Sequence, residues 1–402
     1  MKIVRVEPTP SPNSMKLTLD TKLNPGVRLN YAKNSLADGA PSYIRKLLGV
    51  PGVTGVYHTG DFIALERHPK GEWTSILTEA ESILGVSAGK ETAEPSPSGY
   101  QTGDPETKFN PPGHQPEEPA YGEVTVRVQT FRGIPMQVRV QSGLEEKRAA
   151  MPERFLAAAT EAGSASANLI MERRLEERGV RYGELSEVLD EVIRELEAVF
   201  SEEMLREATA LAKQSDWAPF GDAASPPVPD SFLDDVSQAL EHPDWRVRYA
   251  MLQRLKPGTD VLPHLIKALR DDHISVRRLA VVYTGEIKEA DTTGLLVQAL
   301  QDRSPVIRRT AGDSISDRGD PSAVPAMEAA LSDPSKLVRW RAARFLYEVG
   351  EQGSLPALLQ AKEDREFEIR LQIRLAVERI SGGEEALGSV WQQMMRRNES
   401  GD

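Results

Sequence analysis

The chain has 402 residues, 39% of them hydrophobic and 27% charged, and carries a formal net charge of -12 at pH 7. That length exceeds what one hydrophobic core organises, so two or three domains are expected, and the acidic balance excludes whole-molecule attraction to nucleic acid or an anionic membrane, though not a local basic face. The chain has no cysteine, which excludes disulfides, thiolate nucleophiles and cysteine-held zinc or iron–sulfur clusters; no apolar run approaches the ~18 residues that span a bilayer; and MKIVRVEPTP reads as no export signal, so a cytoplasmic location is expected.

The first piece, residues 1–88, alternates with period two near Ile3–Glu7, Met15–Leu19, Val53–Tyr57 and Phe62–Glu66, which predicts four strands. Helical patterning falls at Pro41–Leu48 and in EWTSILTEAESIL, completing an α+β fold. Between the first two strands lies TPSPNSMKL, with Pro8, Pro10 and Pro12 at alternate positions. Prolines so spaced fix φ and remove amide donors, so the segment is expected as a stiff, extended connection at a sheet edge. This start, followed by LLGVPGVTGVYHTGDFIALER, Trp73 and an amphipathic helix, resembles the N-terminal domain of NifU-like (Nfu) iron–sulfur scaffold proteins. The resemblance implies the fold. In that family the cluster sits in a separate Cys-x-x-Cys domain with no counterpart here, so neither cluster assembly nor any cofactor is expected.

Residues 89–120 are rich in Pro, Gly, Glu and Ser and read as a disordered linker. The second piece, residues 121–217, opens with EVTVRVQ and MQVRVQ around FRGIP. This predicts a hairpin with Gly133 at the turn and Val124, Val126, Val128, Val138 and Val140 facing inward. Helices are expected at 144–161, 164–178, 183–200 and 201–213, with Ser201 as an N-cap and the small residues of GSASANLI serving helix packing. The expected module is therefore a β-hairpin followed by helices. A second linker follows at 218–230.

Residues 231–397 form a repeat array. A β-branched residue followed by arginine recurs at 247/248, 276/277, 307/308, 338/339 and 369/370, and Asp271, Asp302, Asp333 and Asp364 each stand six residues before an arginine of the series. The first helix of each unit recurs as VLPHLIKAL, TTGLLVQAL, AVPAMEAAL and SLPALLQAK. The pattern resembles the short, PBS-lyase-type HEAT repeats of all-α solenoids. Arg248, Arg277, Arg308, Arg339 and Arg370 are expected to form a structural ladder with Asp271, Asp302, Asp333 and Asp364, the alternative being a basic surface for phosphates or acidic partners. Second helices of a solenoid line its concave side, which makes Tyr249, Arg278, Arg309, Trp340, Arg341 and Leu371 the partner-binding candidates. Against this, Trp340 and Tyr249 could simply pack between neighbouring helices. Asp313 and Ser316 occupy positions that are apolar in other copies, and WQQMMRR is expected to cap the last core face.

Catalytic signals are absent from the sequence: six scattered histidines show no ligand spacing, and no GxSxG elbow occurs. No catalytic, cofactor-binding or metal residue is assigned, and the chain is expected not to be an enzyme. The order of an Nfu-like domain, a linker, a hairpin-plus-helices module and HEAT repeats resembles the conserved virulence factor C family of Gram-positive bacteria. Membership implies a cytoplasmic accessory protein linked to virulence traits, without a defined enzymatic activity. The leading reading is a scaffold or adaptor with protein partners. The rival is a nucleic-acid-binding regulator using the solenoid arginines; a third is an accessory factor in iron–sulfur protein handling that holds no cluster. Neither a membrane nor a small-molecule substrate is expected as partner.

Overall fold

The computed structural model describes residues 1–85 apart from positions 10, 12, 25, 34–38, 69 and 70, residues 122–214 apart from 144, 167 and 169, and residues 230–386 apart from 289 and 290. The linker expected at 89–120, all but the last residue of that at 218–230, and the WQQMMRR segment lie outside the described residues. Two compact units divide the chain, Met1–Gly122 and Glu123–Asp402, so the middle module and the repeat array belong to one unit.

In the first unit β1 (Ile3–Pro8), β2 (Ser14–Leu19), β3 (Arg28–Ala32), β4 (Val53–Thr59) and β5 (Phe62–Arg67) form a sheet in the order β1-β2-β5-β4-β3. The helices are α1 (Ser42–Gly49) and α2 (Trp73–Leu84). Alternation places Met15, Leu17, Leu19, Ile63 and Leu65 inside, with Ile44, Leu47, Trp73, Ile76 and Ala80 of the helices also buried. The proline-rich stretch connects the first two strands at the sheet edge, as expected, and those strands form a hairpin: β1 pairs antiparallel with β2 as far as Pro8 opposite Met15, and Thr9 N–H donates to the Ser14 carbonyl. β1 is an edge strand, where proline removes no ladder bond that a neighbour needs. On β4, His58 is buried at 2% exposure, with Nδ1 2.6 Å from the Tyr43 hydroxyl, and burial pushes its pKa down.

The second unit begins with β6 (Gly122–Phe131) and β7 (Ile134–Ser142), joined by Arg132 and Gly133 with φ of 45° and 83°. Two positive φ values in a two-residue loop match the twist of the flanking strands, which is why glycine stands there. Next come β8 (Glu145–Ala150), α3 (Glu153–Gly163), β9 (Arg173–Gly183), α4 (Leu185–Val199) and α5 (Glu202–Ala212). The sheet order is β8-β7-β6-β9, and its buried valines share a core with Phe155, Ala159, Val188, Val192 and Leu205 from the three helices. Ser201 caps α5, its hydroxyl accepting from Met204 N–H at 3.2 Å.

The first part of the helix expected at 144–161, whose remainder is α3, and the helix expected at 164–178 are replaced here. Residues 145–150 and 173–183 are the edge strands of the sheet, and charged side chains suit exposed edges although they also favour helices. Residues 164–166 and 170–172 turn instead of coiling, because Asn168 Oδ1 accepts from the N–H groups of Ile170 and Met171, both at 3.2 Å, and so competes with helical bonding.

The array pairs α6 (Asp230–Ala239) with α7 (Trp245–Gln253), α8 (Leu262–Ala268) with α9 (Ile274–Glu286), α10 (Thr293–Ala299) with α11 (Pro305–Arg318), α12 (Val324–Ala330) with α13 (Lys336–Val349) and α14 (Leu355–Gln360) with α15 (Phe367–Ser381). Pro263, Pro325 and Pro356 stand in the first turns of α8, α12 and α14, where a missing N–H costs nothing. One core runs through the later repeats, from Leu296 and Ile307 through Trp340, Phe345 and Leu346 to Ile373. Among the described residues no helix is long and apolar enough to cross a membrane.

Candidate functional site

The recurring arginines each make two kinds of contact. Arg248 grips Asp271 through Nε at 2.6 Å and Nη2 at 2.7 Å. Arg277 meets Asp302, Arg308 meets Asp333 and Arg339 meets Asp364 in the same two-pronged way, each Nε at 2.7 Å from its carboxylate. Each carboxylate belongs to the next repeat's loop. With Nη1 the same arginine donates back to its own loop: Arg277 to the Asp271 carbonyl, Arg308 to that of Asp302 and Arg339 to that of Asp333. Arg370 makes the corresponding bond to the Asp364 carbonyl at 2.6 Å. The aspartates turn their own loops, Asp271, Asp302, Asp333 and Asp364 accepting from the N–H two residues on. Bidentate guanidinium–carboxylate pairs fix geometry as well as charge, so each rung sets the spacing between two repeats.

The six residues expected to line an open groove do not line one. Tyr249, Arg309, Trp340 and Leu371 are 3%, 0%, 2% and 5% exposed, and the Arg278 and Arg341 side chains are also largely covered. For Tyr249, Arg278 and Arg309 the cause lies in the same chain, where β9 and α4 of the middle module sit on α7, α9 and α11, whereas Trp340 packs into the array's own core. Around Glu195 of α4, Arg181 of β9 donates through Nη2 at 2.7 Å and Nη1 at 3.2 Å, while the Tyr249 hydroxyl donates at 3.0 Å. Arg278 stands 3.9 Å from the same carboxylate, Glu191 lies 3.7 Å from Arg181, and the Ser275 hydroxyl donates to Glu191 at 3.2 Å. Burial opposes ionisation of Glu195, but the Arg181 and Arg278 charges overcome it and hold the carboxyl below its usual range. For its neighbour Glu191, burial and then the Glu195 charge push the pKa up.

One repeat further on, the Tyr182 hydroxyl of β9 donates to Asp313 Oδ2 at 2.6 Å and accepts from Arg309 at 3.1 Å. Arg309 lies against the faces of Tyr182 and Trp340, 4.7 and 5.5 Å from the ring centres, and reaches Glu123 of β6 at 3.5 Å. Arg341 closes on Asp313 at 2.6 Å. Gly312 makes room for that reach: a Cβ there would stand 3.0 Å from Arg341 Cγ. Burial drives the Tyr182 pKa up, so the phenol stays a donor. Trp340 sits beneath both arginines, its Nε1–H buried with no hydrogen-bond partner.

These are fixed charge pairs that hold two substructures together. The arginines that the alternative reading offered as a basic surface, Arg248, Arg277, Arg308 and Arg339, are engaged internally with the ladder aspartates. Glu195, Glu191, Arg181, Tyr182, Glu123 and Ser275 were invisible as site residues in the sequence. The available hint was a polar residue interrupting an apolar stripe: Glu195 follows Val188 and Val192 on the buried face of α4, and Arg309 lies with Ile307 and Ala311 among the buried positions of α11.

Comparison with known proteins agrees with this division. Residues 4–88 match the family described as scaffold protein Nfu/NifU N terminal, residues 129–208 match virulence factor, and residues 233–311, 262–334 and 293–378 match HEAT repeats. The chain is 47% identical over 402 residues to "Uncharacterized protein YpgR" of Bacillus subtilis, covering 100% of both chains. It is 41% identical over 401 residues to "Conserved virulence factor C" of Staphylococcus aureus strain MRSA252, covering 99% of this chain and 100% of the relative. The crystal structure of protein SAV1430 from Staphylococcus aureus is 31% identical and covers 21% of this chain and 98% of its own, with a TM-score of 0.20.

Proposed function

The chain belongs to the conserved virulence factor C family, and we propose that it is a non-enzymatic scaffold whose repeat array holds the middle module on its second-helix face and displays it to partners. HEAT repeats commonly mediate protein interactions, and here the first interaction is internal. The observation that supports this reading is the network around Glu195, which spans β9, α4, α7 and α9 with every charge countered. Such a contact orients the module as a rigid part of the array and leaves its outer surfaces, together with the Nfu-like unit, for outside proteins. A role in virulence, which the staphylococcal relatives carry in their name, is proposed with it.

The test is affinity capture of partners by the full chain, compared between wild type and the pair Glu195→Ala with Asp313→Ala. Loss of captured protein at unchanged expression is expected. Equal capture by both would remove the array's holding role, and turnover of any compound in a broad substrate panel would remove the non-enzymatic reading.

A further inference from the structure

The helices α3, α4 and α5 cover one face of the module's sheet, and the opposite face carries a row that folding alone does not favour. Arg127 of β6 stands directly opposite Arg139 of β7, and Arg139 directly opposite Arg148 of β8. Their parity is that of the face away from the core, because Val126, Val128, Val138 and Val140 occupy the alternate positions and are fully buried. Like charges directly opposite on neighbouring strands repel, so this register carries a cost in the unliganded protein.

The counter-charges nearby are few. Arg127 donates to Gln141 at 2.9 Å and has Glu177 of β9 at 3.8 Å. Arg139 donates to Gln137 at 2.8 Å and, among the described residues, meets no carboxylate. Arg148 is exposed and has neither hydrogen bond nor ion pair among the described residues. Gln129, Gln137 and Gln141 flank the row; Glu146, opposite Gln141, is the acid beside it.

We infer that this open sheet face binds the phosphate backbone of a single nucleic-acid strand through Arg127, Arg139 and Arg148. Strands lie about 4.8 Å apart, so the row extends roughly 10 Å. The long guanidinium side chains splay from that row, so each of the three can take one phosphate of a bound strand. Guanidinium forks take phosphate oxygens two at a time, and neighbouring glutamine amides supply sequence-tolerant hydrogen bonds. The positions flanking the row are the half-buried Thr125, Gln129, Gln137 and Gln141 on β6 and β7, with the exposed Glu146 and Ala150 on β8. None offers an aromatic platform for bases or a pocket for peptide side chains, so recognition is by charge spacing and not by sequence. Glu123, on the same face, contacts Arg309 of α11, so the array borders one end of this surface. The inference is independent of the scaffold reading, since it uses none of the residues that join module to array.

The test is fluorescence anisotropy of a labelled homopolymeric oligonucleotide with the full chain, from about 50 to 200 mM salt. Three phosphate contacts predict that log affinity falls against log salt with a slope of about -2, at about -0.7 per contact on a single strand. In Arg139→Gln with Arg148→Gln the slope should fall to about -0.7, with binding at the lowest salt weakened more than about tenfold. The same variant should melt no lower than wild type, because the only contact it loses, the half-buried Arg139 bond to Gln137, is offset by the repulsion removed. Absence of binding at low salt would overturn the inference, as would a slope unchanged in the variant. Polyglutamate binding as tightly as the oligonucleotide would also overturn it and reassign the face to acidic peptides.

Discussion

Glu195→Ala is the sharpest perturbation of the contact between module and array. The carboxylate is 3% exposed and accepts two hydrogen bonds from Arg181 and one from Tyr249, with Arg278 at 3.9 Å. Removing one member of a buried ion pair costs about 3–5 kcal/mol, mostly from the charge left behind. Glu191, already 3.7 Å from Arg181, takes over part of the neutralisation, which brings the expected loss to about 3 kcal/mol. At about 2–4 °C per kcal/mol for a unit of this size, the melting temperature should fall by roughly 6–12 °C. Differential scanning calorimetry of the full chain reads this directly, with the exposed Asp190→Ala as control. Adding Tyr249→Phe tests whether the two residues act together: the double variant should fall short of the summed losses by about 0.5 kcal/mol or more. A drop below about 2 °C for Glu195→Ala, or strict additivity with Tyr249→Phe, would refute the idea that the module is fastened here.

The ladder has its own measurable strength. Arg308→Ala leaves the half-buried Asp333 without its counter-charge and the Asp302 carbonyl without that donor, so urea unfolding should show a loss of about 2–3 kcal/mol, only partly recovered by Arg308→Lys. The Glu195 pKa is lowered in the folded state, so its stabilisation is complete above the ordinary glutamate range near ~4.3 and is lost as pH falls through the lowered value. The stability gap between wild type and Glu195→Gln should therefore close on acidification, and a gap constant with pH would contradict the assignment. His58 has its pKa lowered by burial, so its contribution to the first unit's stability is complete above the ordinary imidazole value of about 6.5 and is lost as pH falls from there through the lowered folded-state value. Hydrogen exchange of β4 and β5 amides should speed up over that interval in wild type and stay flat in His58→Gln.

How much of this could be read from the sequence depends on how locally each feature is encoded. The repeats were legible because the same arginine and aspartate return in every copy, and the hairpin because Arg132–Gly133 is a local turn between valine-alternating strands. β3, with RLNYA, was missed because its five residues are exposed or half-buried and leave no apolar alternation to detect. β8 and β9 read as helices because EEKRAA and RRLEERGVRYG are built from good helix formers; pairing with β7 and β6 decides otherwise. The location of the six face residues in the second helices followed from the period. The burial of Tyr249, Arg278 and Arg309 did not, since it depends on Glu195, Tyr182 and Glu123, which lie 54 to 186 residues away from the array residues they contact.

The rungs of the ladder are interchangeable, but the clamps on the module are not. Arg277, Arg308 and Arg339 make the same contacts, so a whole additional unit could be spliced in beyond α13 and find its register at once. Tyr249, Arg278 and Arg309 occupy equivalent positions yet each meets a different residue: Glu195 through a hydroxyl, Glu195 through a guanidinium, and Tyr182 with Glu123. The first three repeats are thus individually addressed by the module, like keyed teeth on an otherwise uniform rack. In descendants of this chain, array length should vary at the distal end, while the count between α6 and α11 stays fixed.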